Sequence, residues 1–137
     1  MNEGILQNII SIQERINHAC LKSNRNPDEV KLLLATKTVS PQRIKIALEA
    51  GHTLIAENKV QELKEKYSAL KEIPHTNHFI GHLQTNKIKE ILRYDVTCIQ
   101  SLDRIDLAEK LQQRLAYEDK TIAALIPVSY THLTLPT

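Results

Sequence analysis

Residues 30–56 read VKLLLATKTVSPQRIKIALEAGHTLIA, and the order of signals in this stretch decides the fold. Val30 to Thr36 is a near-continuous apolar run, as expected for a strand covered on both faces. Ser40-Pro41 supplies a helix cap with proline at the first helical position. The predicted helix Gln42–Ala50 stops at Gly51, a natural C-cap. His52 to Ala56 is then a second strand. Strand, helix and strand in this order make a βα unit, which builds parallel sheet.

The same alternation continues downstream. Asn58 is placed to cap a helix whose Val60, Leu63, Tyr67 and Leu70 form a stripe, and Ile73-Pro74 ends it. His78 to His82 is a predicted third strand. Gln84 to Arg93 is a helix with Leu83, Ile88, Ile91 and Leu92 on one side. Val96 to Gln100 is a fourth strand, and Asp103 is expected to cap a helix carrying Ile105, Ala108, Leu111 and Leu115. Thr121 to Ile126 reads as a fifth strand. Upstream, residues 3–23 form an amphipathic helix with Ile5, Ile9, Ile12, Ile16 and Ala19 on one face. Asn24 to Asp28, with Pro27, breaks it.

One helix, four βα units and a strand leave two architectures. A flavodoxin-like sheet needs five strands. A (β/α)8 barrel needs about 250 residues, so the 137 residues here would be its N-terminal half. The chain has three glycines, none in a phosphate-binding loop after the first strand, and no helix pattern follows the fifth strand. Both points place the half barrel ahead.

Composition narrows the function classes. Hydrophobic residues are 42% and charged residues 25%, which excludes a disordered chain. Eighteen Lys and Arg against 16 Asp and Glu give a net charge of +2, too small for a nucleic-acid or polybasic membrane surface. No apolar run approaches the roughly 20 residues that span a bilayer. The N-terminus lacks the apolar block of a signal peptide. Cys20 and Cys98 are isolated, so the expectation is a reduced, cytoplasmic protein.

Lys37 directly follows the first strand. Ligands of parallel α/β folds bind at the strands' C-terminal ends. A lysine there can condense with an aldehyde to form a Schiff base, or it can simply reach into solvent. Glu57-Asn58 ends the second strand, His82 the third and Ser101 the fourth, on the same predicted rim. Singly, each is an ordinary turn or cap residue; together they make a candidate site. His78 and His82, four apart in a predicted strand, would share a face and form a possible metal pair, although no nearby Cys or carboxylate run supports it. Cys98 reads as core packing. KVQELKEKYSALKE, residues 59–72, reads as a solvated charged face.

Four blocks carry a family resemblance: LLLATKTVSP (32–41), AENKVQELKEKY (56–67), NHFIGHLQTNKIKEIL (77–92) and IQSLDRIDLAEKL (99–111). In this order they resemble the pyridoxal phosphate homeostasis proteins (YggS/PROSC type) over roughly residues 5–126. The resemblance implies a (β/α)8 TIM barrel of the alanine racemase N-terminal-domain type, with residues 1–127 its N-terminal part. It implies pyridoxal 5′-phosphate held as an internal aldimine on Lys37, with Asn58, His82 and Ser101 around the cofactor. Members are regarded as intracellular carriers or regulators of vitamin B6, most without established turnover. The implied partners are the cofactor and pyridoxal-phosphate-dependent apo-enzymes, not nucleic acid or membrane, and the parent would be a monomer. Alternatives are a pyridoxal-phosphate enzyme such as an amino-acid racemase, or a cofactor-free α/β interaction module. Departures from the family pattern are Ala56 for Gly, Lys59 for Tyr, and Val39 and Ser40 for Lys and Pro. The phosphate grip is expected from loops after strands seven and eight, and a partner for the pyridine nitrogen from the same missing half.

Residues 128–137, VSYTHLTLPT, do not continue the pattern. They match the translation of a transposase-type library adapter, GTC TCT TAT ACA CAT CTG ACG CTG CCG ACG, and are read as a non-native tail. Resequencing genomic codons 120–140 with a different library chemistry is expected to show the frame running past Ile126 into further helix and strand. A genuine stop after VSYTHLTLPT would overturn the adapter reading.

Overall fold

The computed structural model describes residues 2–128. The proposed tail from residue 129 onward lies outside them. The elements are α1 (Asn2–Lys22), β1 (Leu34–Ala35), α2 (Pro41–Glu49), β2 (Leu54–Glu57), α3 (Val60–Leu70), β3 (Thr76–Phe79), α4 (Ile88–Arg93), β4 (Val96–Ile99), α5 (Ile105–Glu118) and β5 (Ala123–Ala124), with short 3-10 turns at Pro27–Glu29 and Thr85–Lys87.

The five strands form one parallel sheet in the order β1-β2-β3-β4-β5. Each strand lies beside its sequence neighbour, so the order never reverses. The flavodoxin-like alternative, which reverses after its first strand, is therefore not adopted. β1 and β5 are the two edges.

The two faces of the sheet differ. Ile55, Phe79 and Ile99 point into the helical layer, where two apolar clusters form. One joins Ile55 to Ile44 and Leu48 of α2 and Leu70 of α3. The other joins Phe79, Val96 and Ile99 to Leu63, Ile88, Ile91, Leu107 and Leu111. Phe79, Ile55, Leu83, Ile91, Ile99 and Leu107 are completely buried, each stabilising the fold by about 1.5–3 kcal/mol. The opposite face carries the row Ala35, Ala56, His78, Cys98 and Ala123, which are register partners across all five strands. The end members Ala35 and Ala123 are exposed. Thr97 is one residue too many between the pairs Asn77↔Val96 and His78↔Cys98. This bulge lets both Val96 and Ile99, three apart, reach the helical side.

Several boundaries differ from the sequence reading. β1 is two residues, not Val30 to Thr36, because an edge strand is paired only where β2 lies beside it. β5 is short for the same reason against β4. β3 begins at Thr76, whose N–H bonds to the Thr53 carbonyl, and ends before His82. The buried face of α1 turns through Ile9, Ile16 and Cys20, leaving Ile12 and Ala19 exposed. The Ser40 cap is present, its side chain accepting from the Arg43 N–H with Pro41 inside the helix. Asn58 and Asp103 do not cap. Lys59 and Arg104 occupy those positions without side-chain caps, and Asp103 pairs with Arg104 instead.

Gly81 is fixed by a close approach. A Cβ there would fall 2.0 Å from the Asn58 carbonyl oxygen and 2.7 Å from its carbon. Gly81→Ala is expected to destabilise the protein by about 1–3 kcal/mol, read from urea unfolding. An unchanged midpoint would mean the two strand ends do not touch.

Candidate functional site

The rim at the C-terminal ends of the strands is assembled by backbone register. The Thr36 N–H donates to the Ala56 carbonyl and its hydroxyl to Glu57 Oε2, which places Thr36 beside Glu57. Lys37 is exposed, in a turn closed by the Val39 N–H on the Thr36 carbonyl. Thr38 takes φ 63° in that turn, an uncommon conformation for a β-branched residue. Asn58 is half-buried, and its Oδ1 is buried without a hydrogen-bond partner among the described residues.

Gly81 joins Asn58 to Ser101. Its backbone lies against the Asn58 carbonyl, and its own carbonyl accepts the Ser101 hydroxyl. His82 is exposed, 3.4 Å from an Arg104 guanidinium nitrogen through Nδ1. With Asn58 it lines a cavity of about 250 Å³ at the start of α3, which Lys37 does not line. The four rim residues thus fall on one edge of the sheet. Asn58 meets Ser101 through Gly81 and His82 across the cavity, while Lys37 follows β1 outside that cavity.

His78 and His82 do not share a strand face. β3 ends at Phe79. His78 lies 2.8 Å through Nδ1 from the Gln100 amide nitrogen, while His82 lies past the strand beside Arg104. Among the described residues no group of three or more His, Cys, Asp or Glu is placed to hold a metal. Burial lowers the His78 pKa and raises that of Cys98, which is a free, buried thiol.

The residues that sequence reasoning missed lie beneath Lys37. The buried Lys66 Nζ donates to Glu57 Oε2 at 2.6 Å, to the Thr36 carbonyl at 2.7 Å and to Glu62 Oε1 at 2.9 Å. Glu57 Oε2 also accepts the Thr36 hydroxyl at 2.6 Å, and Glu62 Oε1 accepts the Thr38 N–H at 2.6 Å. Burial pushes the Glu62 carboxyl up, but the hydrogen bonds from Lys66 and Thr38 and the charges of Lys66 and Lys59 bring it net below the usual range. Glu57 Oε1 has no partner among the described residues. Glu57 lines a cavity of about 140 Å³ that is roomy enough for water. The charged run 59–72 is therefore not wholly solvated. Leu63, Lys66 and Leu70 are three and four apart and buried together, and that spacing was the available signal.

No family model matches the chain. Curated relatives do. It is 45% identical over 103 residues to the pyridoxal phosphate homeostasis protein of Aquifex aeolicus, covering 75% of this chain and 45% of that protein. It is 39% identical over 127 residues to the one from Pasteurella multocida, covering 91% and 54%. The chain belongs to the pyridoxal phosphate homeostasis family. It spans about half the length of the family members it matches. A crystal structure of an unknown protein from Bifidobacterium adolescentis superposes with a TM-score of 0.80 at 33% identity, covering 90% of this chain and 54% of that one. PipY of Synechococcus elongatus with bound PLP gives a TM-score of 0.67 at 30% identity, covering 82% and 52%. The residues here suit that cofactor. The rim offers an exposed primary amine at Lys37, after β1, and an unpartnered buried acceptor at Asn58, after β2. Among the described residues no helix is long and apolar enough to cross a membrane.

The depressed pKa of His78 sets a pH dependence. Between its lowered folded value and the ordinary value near 6.5, the unfolded chain binds more protons than the folded one, so stability falls as pH falls. His78→Gln is expected to remove this component, flattening the melting temperature between pH 7 and pH 5. An unchanged slope would show that His78 titrates as a free imidazole.

Proposed function

We propose that the chain is the N-terminal half of a (β/α)8 barrel of the alanine racemase N-terminal-domain type, and that the complete protein holds pyridoxal 5′-phosphate through Lys37. The strand order supports the barrel, since sequential parallel strands with helices outside are how such barrels are wound. The two sheet edges and the small-residue face are what a second half would pair with and fill. The observation that carries the functional reading is Lys37 itself: an exposed amine at the C-terminal end of β1, with both flanking residues anchored below it.

When bound, the cofactor supplies an aldehyde with which a primary amine condenses reversibly as water leaves. Lys37 provides that amine. Asn58 brings an amide oxygen that is buried and has no hydrogen-bond partner among the described residues. Ser101 acts through the Gly81 carbonyl, holding the loop that carries His82 against the rim. His82 lines the cavity shared with Asn58, on the same rim as Lys37. Reversible attachment suits a protein that stores the cofactor and hands it to cytoplasmic apo-enzymes.

The test uses the complete protein. After incubation with pyridoxal phosphate and reduction by borohydride, peptide mapping is expected to find the cofactor's mass on Lys37. Lys37→Arg, which keeps the charge but cannot condense in this way, should remove that label while leaving the melting temperature within about 2 °C, as for an exposed side chain. Label spread evenly over the surface lysines, with none favoured at Lys37, would overturn the reading.

A further inference from the structure

We infer that Glu57, Glu62 and Lys66 are positioning residues for Lys37, a charged cluster, buried at Glu57 and Lys66 and half-buried at Glu62, that presents the amine rather than merely packing α3 on the sheet. The inference rests on the reading of Lys37 as the point of cofactor attachment.

Lys37 is flanked by two threonines, and both are hydrogen-bonded to this cluster. On one side, the Thr36 hydroxyl donates to Glu57 Oε2 and its carbonyl accepts from Lys66 Nζ. On the other, the Thr38 N–H donates to Glu62 Oε1. Lys66 joins the two carboxylates, at 2.6 Å to Glu57 and 2.9 Å to Glu62. Thr36 directly follows β1, Glu57 belongs to β2, and Glu62 and Lys66 belong to α3. The turn bearing Lys37 is therefore tied to two other elements, and Thr38 is held in the left-handed region.

A purely structural role explains this arrangement poorly. Two carboxylates and one ammonium carry a net negative charge, and burying ions seldom stabilises more than well-packed apolar residues would. Thr38 also sits in a conformation that persists only where its surroundings impose it. Buried cost and imposed backbone geometry meet at the two residues flanking one exposed amine. Orienting a reacting group is the use that accounts for both.

Glu62 gives the cleanest test, because its loss leaves the Glu57–Lys66–Thr36 contacts in place. In the complete protein, Glu62→Ala is expected to speed amide hydrogen exchange at Thr38 and to lower borohydride-trapped cofactor on Lys37, relative to the other lysines, by roughly tenfold. Glu62→Gln, whose amide oxygen still accepts from Thr38, should retain the Lys37 preference within about twofold of the parent. A structural role alone would lower the melting temperatures without changing which lysine is labelled. If Glu62→Ala keeps the parent's preference for Lys37, or if its Thr38 amide stays protected, the positioning role is overturned while cofactor attachment stands. If the parent itself shows no preference for Lys37, both readings fall.

Discussion

One ammonium group holds the functional end of this molecule together. Lys66 Nζ, on α3, bonds at once to the end of β1, the end of β2 and its own helix one turn back. Removing one partner of such a buried pair typically costs about 3–5 kcal/mol, because it strands the remaining charge. The three elements therefore have little freedom to slide. Once β1 and β2 are in register, the Thr36 hydroxyl meets Glu57. Once α3 is seated, its first turn supplies the acceptor for Thr38. The rim geometry is thus a consequence of one desolvated contact placed directly under it.

The wider fold divides the labour between two faces. The helix-facing side is filled by branched aliphatics and Phe79, and it provides the apolar burial that drives folding. The other side is a row of small residues with His78 at its centre, flanked by Ala56 and Cys98. Small side chains leave space rather than fill it. A face of this kind suits a barrel interior near a ligand. The bulge at Thr97 reconciles the two demands on β4, letting Cys98 stay in the row while Val96 and Ile99 pack outward.

Local signals made most of this order legible. Ser40-Pro41 and Gly51 bracket α2 because capping is decided within a few residues, and the structure shows the cap bond and Gly51 at φ 97°. The succession of strands and helices followed from such punctuation. Strand ends were less legible, since the length of β1 or β5 depends on where a neighbouring strand lies. Asn58 and Asp103 have the right chemistry for caps, yet the chain enters α3 and α5 one residue later and leaves both side chains elsewhere. Lys66 was hidden for another reason. Its neighbours Lys64 and Glu65 are exposed, and a lysine among charges reads as solvated unless its helical phase is weighed more heavily than its type.

The rim contacts also set the surroundings of Lys37. The sequence left Lys37 either condensing with an aldehyde or reaching into solvent; the structure exposes its side chain on a turn whose Thr38 takes φ 63°. The polar groups of that turn are engaged beneath it, so the side chain is the part left to move. On the next strands, Gly81 fits only because it lacks a Cβ, and its contacts with Asn58 and Ser101 bring β2, β3 and β4 to a common level. Lys37 stands exposed on that rim, so its side chain can move without reorganising the sheet or disturbing the core.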